Sequence, residues 1–138
     1  MTANEFRYTI AQDRAGRVSA DGKSELDLEP DWSPEHLVLA GLVRCTLASL
    51  RFHAERDGLD FAASASASAR VTKRERDGRY AFVEIAVELD LELEPELAQE
   101  ELEALVAKAE RDCFVGASLT PAPAYRWRVN GRRVASRP

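Results

Sequence analysis

Several things are missing from this sequence, and each absence removes a class of function. There is no excess of positive charge. Lys and Arg total 19 against 24 Asp and Glu, for a net charge of −5, which argues against a domain that binds nucleic acid through its phosphates. No apolar run reaches membrane-spanning length. The opening MTANEFRYTI is polar and alternating, with no secretory h-region. The expectation is a cytoplasmic protein with no membrane partner. There is no glycine-rich phosphate loop and no serine elbow. The only histidines are His36 and His53, and neither has metal-ligand spacing with two further ligands, so no metal and no cofactor is expected. Internal repeats and linkers are also absent, which predicts a single domain over residues 1–138.

What is present is organised around Ser33–Arg56, SPEHLVLAGLVRCTLASLRFHAER. Ser33 is a favourable N-cap, and Pro34 suits the first helical position. Glu35 places a carboxylate at the positive end of the helix dipole. The apolar run from Leu37 to Leu50 is broken only by small residues, Arg44 and Cys45. A helix apolar on most of its circumference is buried. Gly41 lies one turn before Cys45, at a cost of about 1 kcal/mol relative to alanine, so something is expected to approach the helix there.

Before the helix, Phe6, Tyr8 and Ile10 alternate with polar residues as a strand would. Asp13-Arg14-Ala15-Gly16 is a turn, Arg17–Ala20 a second strand, and Asp21-Gly22 a hairpin signal. Leu26 and Leu28 mark a third strand. After Asp57-Gly58 the period changes to two. Phe61, Ala63, Ala65, Ala67, Ala69 and Val71 share one face, expected to lie under the helix. Val83 to Leu93 alternate with mostly acidic residues as a second long strand. Residues 96–112 have amphipathic helical spacing, a short turn or second helix starts at Cys113, and Tyr125–Val129 is a final strand before the Asn130-Gly131 turn. The order is three strands, helix, two strands, helix, strand. That predicts an α+β fold with mostly antiparallel pairing.

The chemistry reduces to two thiols. Two cysteines in a cytoplasmic chain are not expected to form a structural staple. One reading makes both of them small apolar fillers. The other makes one reactive, which needs a cation or a helix N-terminus nearby; the candidate cations are Arg14, Arg17, Arg44 and Arg51. The acidic faces around Glu84, Glu88, Asp90 and Glu92 read as solvated strand surface.

The segment S-P-E-H-L-V-L-A-G-L-V-R-C resembles the N-P-E-x-L…A…C helix of the osmotically inducible protein C and organic hydroperoxide resistance (OsmC/Ohr) superfamily. R-D-C-F-V-G-A-S-L resembles that family's second-cysteine turn. The resemblance spans essentially the whole chain and implies an OsmC-like fold: an intertwined homodimer of curved sheets around paired central helices. It implies a peroxidase that reduces organic hydroperoxides, and hydrogen peroxide as a lesser substrate. Cys45 then matches the peroxidatic cysteine and Cys113 the resolving one. Glu35 matches the glutamate that holds a catalytic arginine, which is Arg14 by position, with Arg17 second. An external dithiol, of which a lipoyl-type compound is one candidate, would restore the thiols. Trp32 and Phe52 would supply apolar walls. The chain departs from the family pattern at Glu29-Pro30-Asp31-Trp32, at Arg44 and at Phe114. The rival readings are a small-ligand-binding protein on the same fold and a thiol-sensing dimer without turnover.

Overall fold

The computed structural model describes residues 3–136 of the chain. They fall into two compact units that divide at Pro34.

The first unit is a three-stranded antiparallel sheet, β1 (Ile10–Gln12), β2 (Val18–Ala20) and β3 (Ser24–Leu26), in that order. The strand expected over residues 6–10 starts only at Ile10. The reason is local. The Asp21 carboxylate accepts the Thr9 N–H at 2.8 Å and the Thr9 hydroxyl at 2.9 Å, just where the chain turns through Asp21 and Gly22. β2 offers no residue beyond Asp21 to pair with Tyr8. Phe6, Tyr8 and Ile10 are exposed rather than half-buried. In the β1–β2 turn the Asp13 carboxylate accepts the Ala15 and Arg17 N–H groups and pairs with the Arg17 guanidinium at 3.1 Å.

The second unit begins with α1, which runs Pro34–Arg56 as its start and stop residues predict. Its buried residues are Leu42, Thr46, Ser49, Leu50, His53 and Ala54, a single stripe at helical spacing. The helix is therefore buried along one face, not round its circumference. Beyond its chain neighbours and its own helix backbone, no described atom would lie within 4 Å of a Cβ at Gly41, so this chain itself does not require the glycine. At 23 residues α1 is, by length and composition, long and apolar enough to cross a membrane, contrary to the reading of its sequence. Its stripe nevertheless packs into a protein core: Leu42, Leu50 and Ala54 are fully buried.

β4 (Asp60–Lys73) and β5 (Tyr80–Glu94) form the long hairpin, followed by α2 (Gln99–Arg111), α3 (Phe114–Ser118), β6 (Ala124–Val129) and β7 (Arg132–Val134). The sheet order is β4-β5-β6-β7. β5 pairs with β6 in parallel, and α2 with α3 supplies the crossover that such a pair needs. The expected order omitted one helix and one strand. β7 is three residues long and follows a tight turn, too short for a period to show. α2 starts later than expected because the Glu101 carboxylate accepts the N–H of extended Ala98 at 3.1 Å and caps the helix there.

Ile85, Val87, Leu89, Leu91 and Leu93 of β5 are buried with Leu102, Leu105, Val106 and Ala109 of α2 and with the α1 stripe. The alanine face of β4 is covered only in part. Ala65 and Ala67 pack against the core, while Ala63 and Ala69 stay exposed. The C-terminal half of α1 does reach this strand, with the Arg51 guanidinium 5.0 Å from the Phe61 ring centre.

Candidate active site

The two cysteines meet where α1 passes the α2–α3 junction. Cys113 follows α2 and acts as the N-cap of α3: its sulfur accepts the Gly116 N–H at 3.3 Å. The neighbouring amide, Val115 N–H, donates to the Cys45 sulfur at 3.4 Å. Adjacent peptide groups of one turn thus hold one thiol each, which brings the Cys113 sulfur close enough to act on the Cys45 thiol. Both are free. Cys113 is fully buried, whereas Cys45 is partly exposed. Of the pair, Cys45 is the one that can meet a solute.

The electrostatics favour a resting thiol. Burial pushes the Cys45 thiol up. The Val115 and Phe114 N–H groups oppose this, and the Cys113 sulfur adds to it. No cation contributes to the shift.

Three further groups close the site. Thr46 is fully buried, with its hydroxyl 2.9 Å from the Leu42 carbonyl and 3.5 Å from the Cys113 sulfur. The buried Tyr125 hydroxyl lies beside Thr46 and Cys113 but makes no hydrogen bond of good geometry among the described residues, and burial pushes its phenol up to about 12. His53, buried one face-turn along α1, binds Asp112 with Nε2 to Oδ2 at 2.7 Å. Arg111 grips the same carboxylate through Nε and an Nη, both at 2.9 Å. Arg111, and after it His53, hold the Asp112 carboxyl down at about 2. This clamp fixes the residue before Cys113 to α1. A cavity of about 420 Å³ reaches the back of the site at Gly116 and Tyr125. A groove of about 480 Å³ lies elsewhere, on the polar sheet face around Ser64, Glu88 and Arg126.

Of the other expected site residues, Glu35 and Phe52 lie in the same unit as Cys45, and Arg14, Arg17 and Trp32 lie in the first unit. Glu35 is exposed and makes no ion pair among the described residues. It lies ten residues before Cys45 on the same helix, about 15 Å along its axis. Arg14 is exposed in the β1–β2 turn and also makes no ion pair there, while Arg17 is held by Asp13. Trp32 and Phe52 are about half exposed. Among the described residues no group of three His, Cys, Asp or Glu could hold a metal ion. Thr46 and Asp112 have no role in the sequence reading, Tyr125 enters it only as a strand residue and His53 only as a histidine without metal-ligand spacing. The available signal was the presence of polar residues on the buried stripe of α1.

Gly116 is the tightest point. A Cβ there would stand 2.7 Å from the Tyr125 hydroxyl and 3.3 Å from the Cys113 sulfur. Tyr125 cannot swing away freely, because its ring stacks on Trp127 with centroids 6.3 Å apart. Gly116→Ala is expected to lose about 1–3 kcal/mol through overpacking. Tyr125→Phe removes the obstructing atom and a buried hydroxyl that makes no hydrogen bond of good geometry, so alone it should be nearly neutral. In the double variant most of the loss should disappear. Urea unfolding of the four proteins measures the coupling, and additive effects would show that the clash is relieved elsewhere.

Residues 23–128 match the family described as OsmC-like protein. No curated protein matches the chain. Solved structures of this fold do. The organic hydroperoxide resistance protein OhrB of Bacillus subtilis is 22% identical, with a TM-score of 0.56 over 90% of this chain and 96% of that one. An OsmC-like protein from Mycoplasma pneumoniae is 16% identical, with a TM-score of 0.68 over 93% and 99%. A Vibrio cholerae protein described as a putative organic hydroperoxide resistance protein, with captopril bound in one of its active sites, is 21% identical, with a TM-score of 0.64 over 96% of each chain. With its long helix, its mixed sheet and a family match over most of its length, the chain belongs to the OsmC-like protein family.

Proposed function

We propose that the protein is a thiol-dependent peroxidase acting on organic hydroperoxides, with Cys45 as nucleophile and Cys113 as resolving thiol. The observation that carries this is the meeting of two free thiols on adjacent amides of one turn, one partly exposed and one buried. The hydroperoxide resistance proteins on the same fold support it. The Cys45 thiolate attacks the terminal peroxide oxygen. The O–O bond breaks, the alkoxide leaves as alcohol with a proton, and Cys45 becomes a sulfenic acid. Cys113 then displaces the hydroxyl as water and forms the disulfide. An external dithiol restores both thiols by exchange, in keeping with a cytoplasmic setting. The working unit on this reading is a homodimer.

Burial, with the Cys113 sulfur after it, pushes the Cys45 thiol up, so the reading requires a cation at the thiolate. We assign that part to Arg14, with Glu35 as its partner through a charge-assisted pair. Arg14 is preferred over Arg17 by its position two residues before Gly16, and the Arg17–Asp13 ion pair supports that order.

The test is a free-thiol count and an intact mass after one equivalent of an alkyl hydroperoxide. The wild type should lose both thiols together and two mass units. Retention of both thiols would sink the peroxidase reading and favour the ligand-binding one. Arg14→Ala should fold normally, as exposed substitutions usually do within about 0.5 kcal/mol, yet raise the Cys45 pKa and slow thiol loss. If Arg17→Ala does this instead, the assignment shifts to Arg17.

A further inference from the structure

The hydrogen bonds around Cys113 run in one direction, because each group there has a fixed number of protons. The Leu42 carbonyl can only accept, and the Thr46 hydroxyl lies 2.9 Å from it. A hydroxyl has one proton, so that proton is committed to Leu42. The contact of 3.5 Å between Thr46 Oγ1 and Cys113 Sγ therefore has only one possible donor, the Cys113 S–H. The Gly116 N–H donates to the same sulfur at 3.3 Å. Sulfur, hydroxyl and carbonyl form a one-way chain that ends on the backbone of α1. Both side chains are fully buried, and the Tyr125 hydroxyl beside them makes no hydrogen bond of good geometry among the described residues.

We propose that Thr46 is the positioning residue for the resolving thiol: by accepting its proton it fixes the direction of the S–H and, with the Gly116 N–H on one sulfur lone pair, leaves the other free for attack. This rests on the peroxidase reading for its consequence in rate. At resolution the Cys113 sulfur attacks the Cys45 sulfenic sulfur, the S–S bond forms and the S–O bond breaks. The thiol proton ends on the departing hydroxide as water. No oxidant is needed beyond the organic hydroperoxide that made the sulfenic acid. Without the Thr46 acceptor, the S–H rotates among several directions, and only some of them expose the lone pair.

Two measurements test this, and they fail separately. The first is the infrared S–H stretching band in a Cys45→Ser background, where Cys113 is the only thiol. Adding Thr46→Val, which keeps the shape and removes the oxygen, should move the band to higher wavenumber; adding Thr46→Ser should not. A band that Thr46→Val leaves in place overturns the proposal, whatever the protein does with peroxides. The second uses chains that keep both cysteines. After one equivalent of an alkyl hydroperoxide, disulfide closure should slow about five- to tenfold in Thr46→Val, the worth of one hydrogen bond. Trapping of the sulfenic acid by a sulfenic-specific reagent should rise with it, and Thr46→Ser should restore closure. Equal slowing in the Ser and Val variants means that packing, not the acceptor, matters, and overturns the assignment. A wild type that forms no sulfenic acid defeats the peroxidase reading, while the band still decides whether the hydrogen bond exists.

Discussion

Cys45→Ser should consume no organic hydroperoxide, whereas Cys113→Ser should consume one equivalent and stop at a sulfenic acid. The asymmetry follows from exposure. Cys113 is fully buried and cannot receive a bulky peroxide, while Cys45 is partly open. An alcohol in place of Cys45 is far less acidic and much less nucleophilic, so the loss should be complete. A serine at 113 keeps a donor for Thr46 and an acceptor for the Gly116 N–H, so the α2–α3 junction should survive. With no thiol to trap it, the Cys45 sulfenic acid should be captured by a sulfenic-specific reagent and over-oxidise under excess peroxide. Intact mass and a thiol count on the wild type and both variants give the answer. Cys113 oxidised first would keep the enzyme and reverse the two roles.

The parts of the fold legible in the sequence were those with their own local signals. Pro34 and Asp57-Gly58 bracket α1, and strict alternation marks β4 and β5. The two cysteines were readable as a pair only through the family resemblance, because what joins them is the crossover after β5. Periodicity misled at the first strand. Phe6 and Tyr8 alternate like strand residues, yet Asp21 ends the ladder at Thr9. The parallel β5–β6 pair could not be read, since parallel and antiparallel strands share a period of two. The polar members of the site were hidden for another reason. Thr46 and His53 look like interruptions of an apolar helix, and their partners are 67 and 59 residues away. A buried polar side chain needs a partner somewhere; the sequence names the need but not the partner. The cation proposed for Cys45 is a different case, because no local pattern in the chain identifies it.

Neighbouring substitutions on α1 should have opposite signs. Leu42 is fully buried and belongs to the core stripe. Leu42→Ala should cost about 2–5 kcal/mol through lost burial and the cavity left behind. The Thr46 hydroxyl bonds the Leu42 carbonyl, not its side chain, so that link should outlast the substitution and the loss should be one of packing. Gly41 is one residue away, and beyond its chain neighbours and its own helix backbone no described atom would lie within 4 Å of a Cβ there. Within a single chain Gly41→Ala should therefore stabilise the helix by about 1 kcal/mol. The proposed homodimer changes that sign. If a second copy lays its own helix across Gly41, the added methyl falls in the interface, and the gain in the chain becomes a loss in assembly. Chemical unfolding combined with sedimentation over a range of concentrations separates the cases. A variant that is more stable and equally associated would place Gly41 outside the interface. A variant that dissociates at concentrations where the wild type does not would mark the close approach of a second copy. A wild type that sediments as a monomer at micromolar concentration would remove the dimer from the proposal, leaving the Leu42 prediction unchanged.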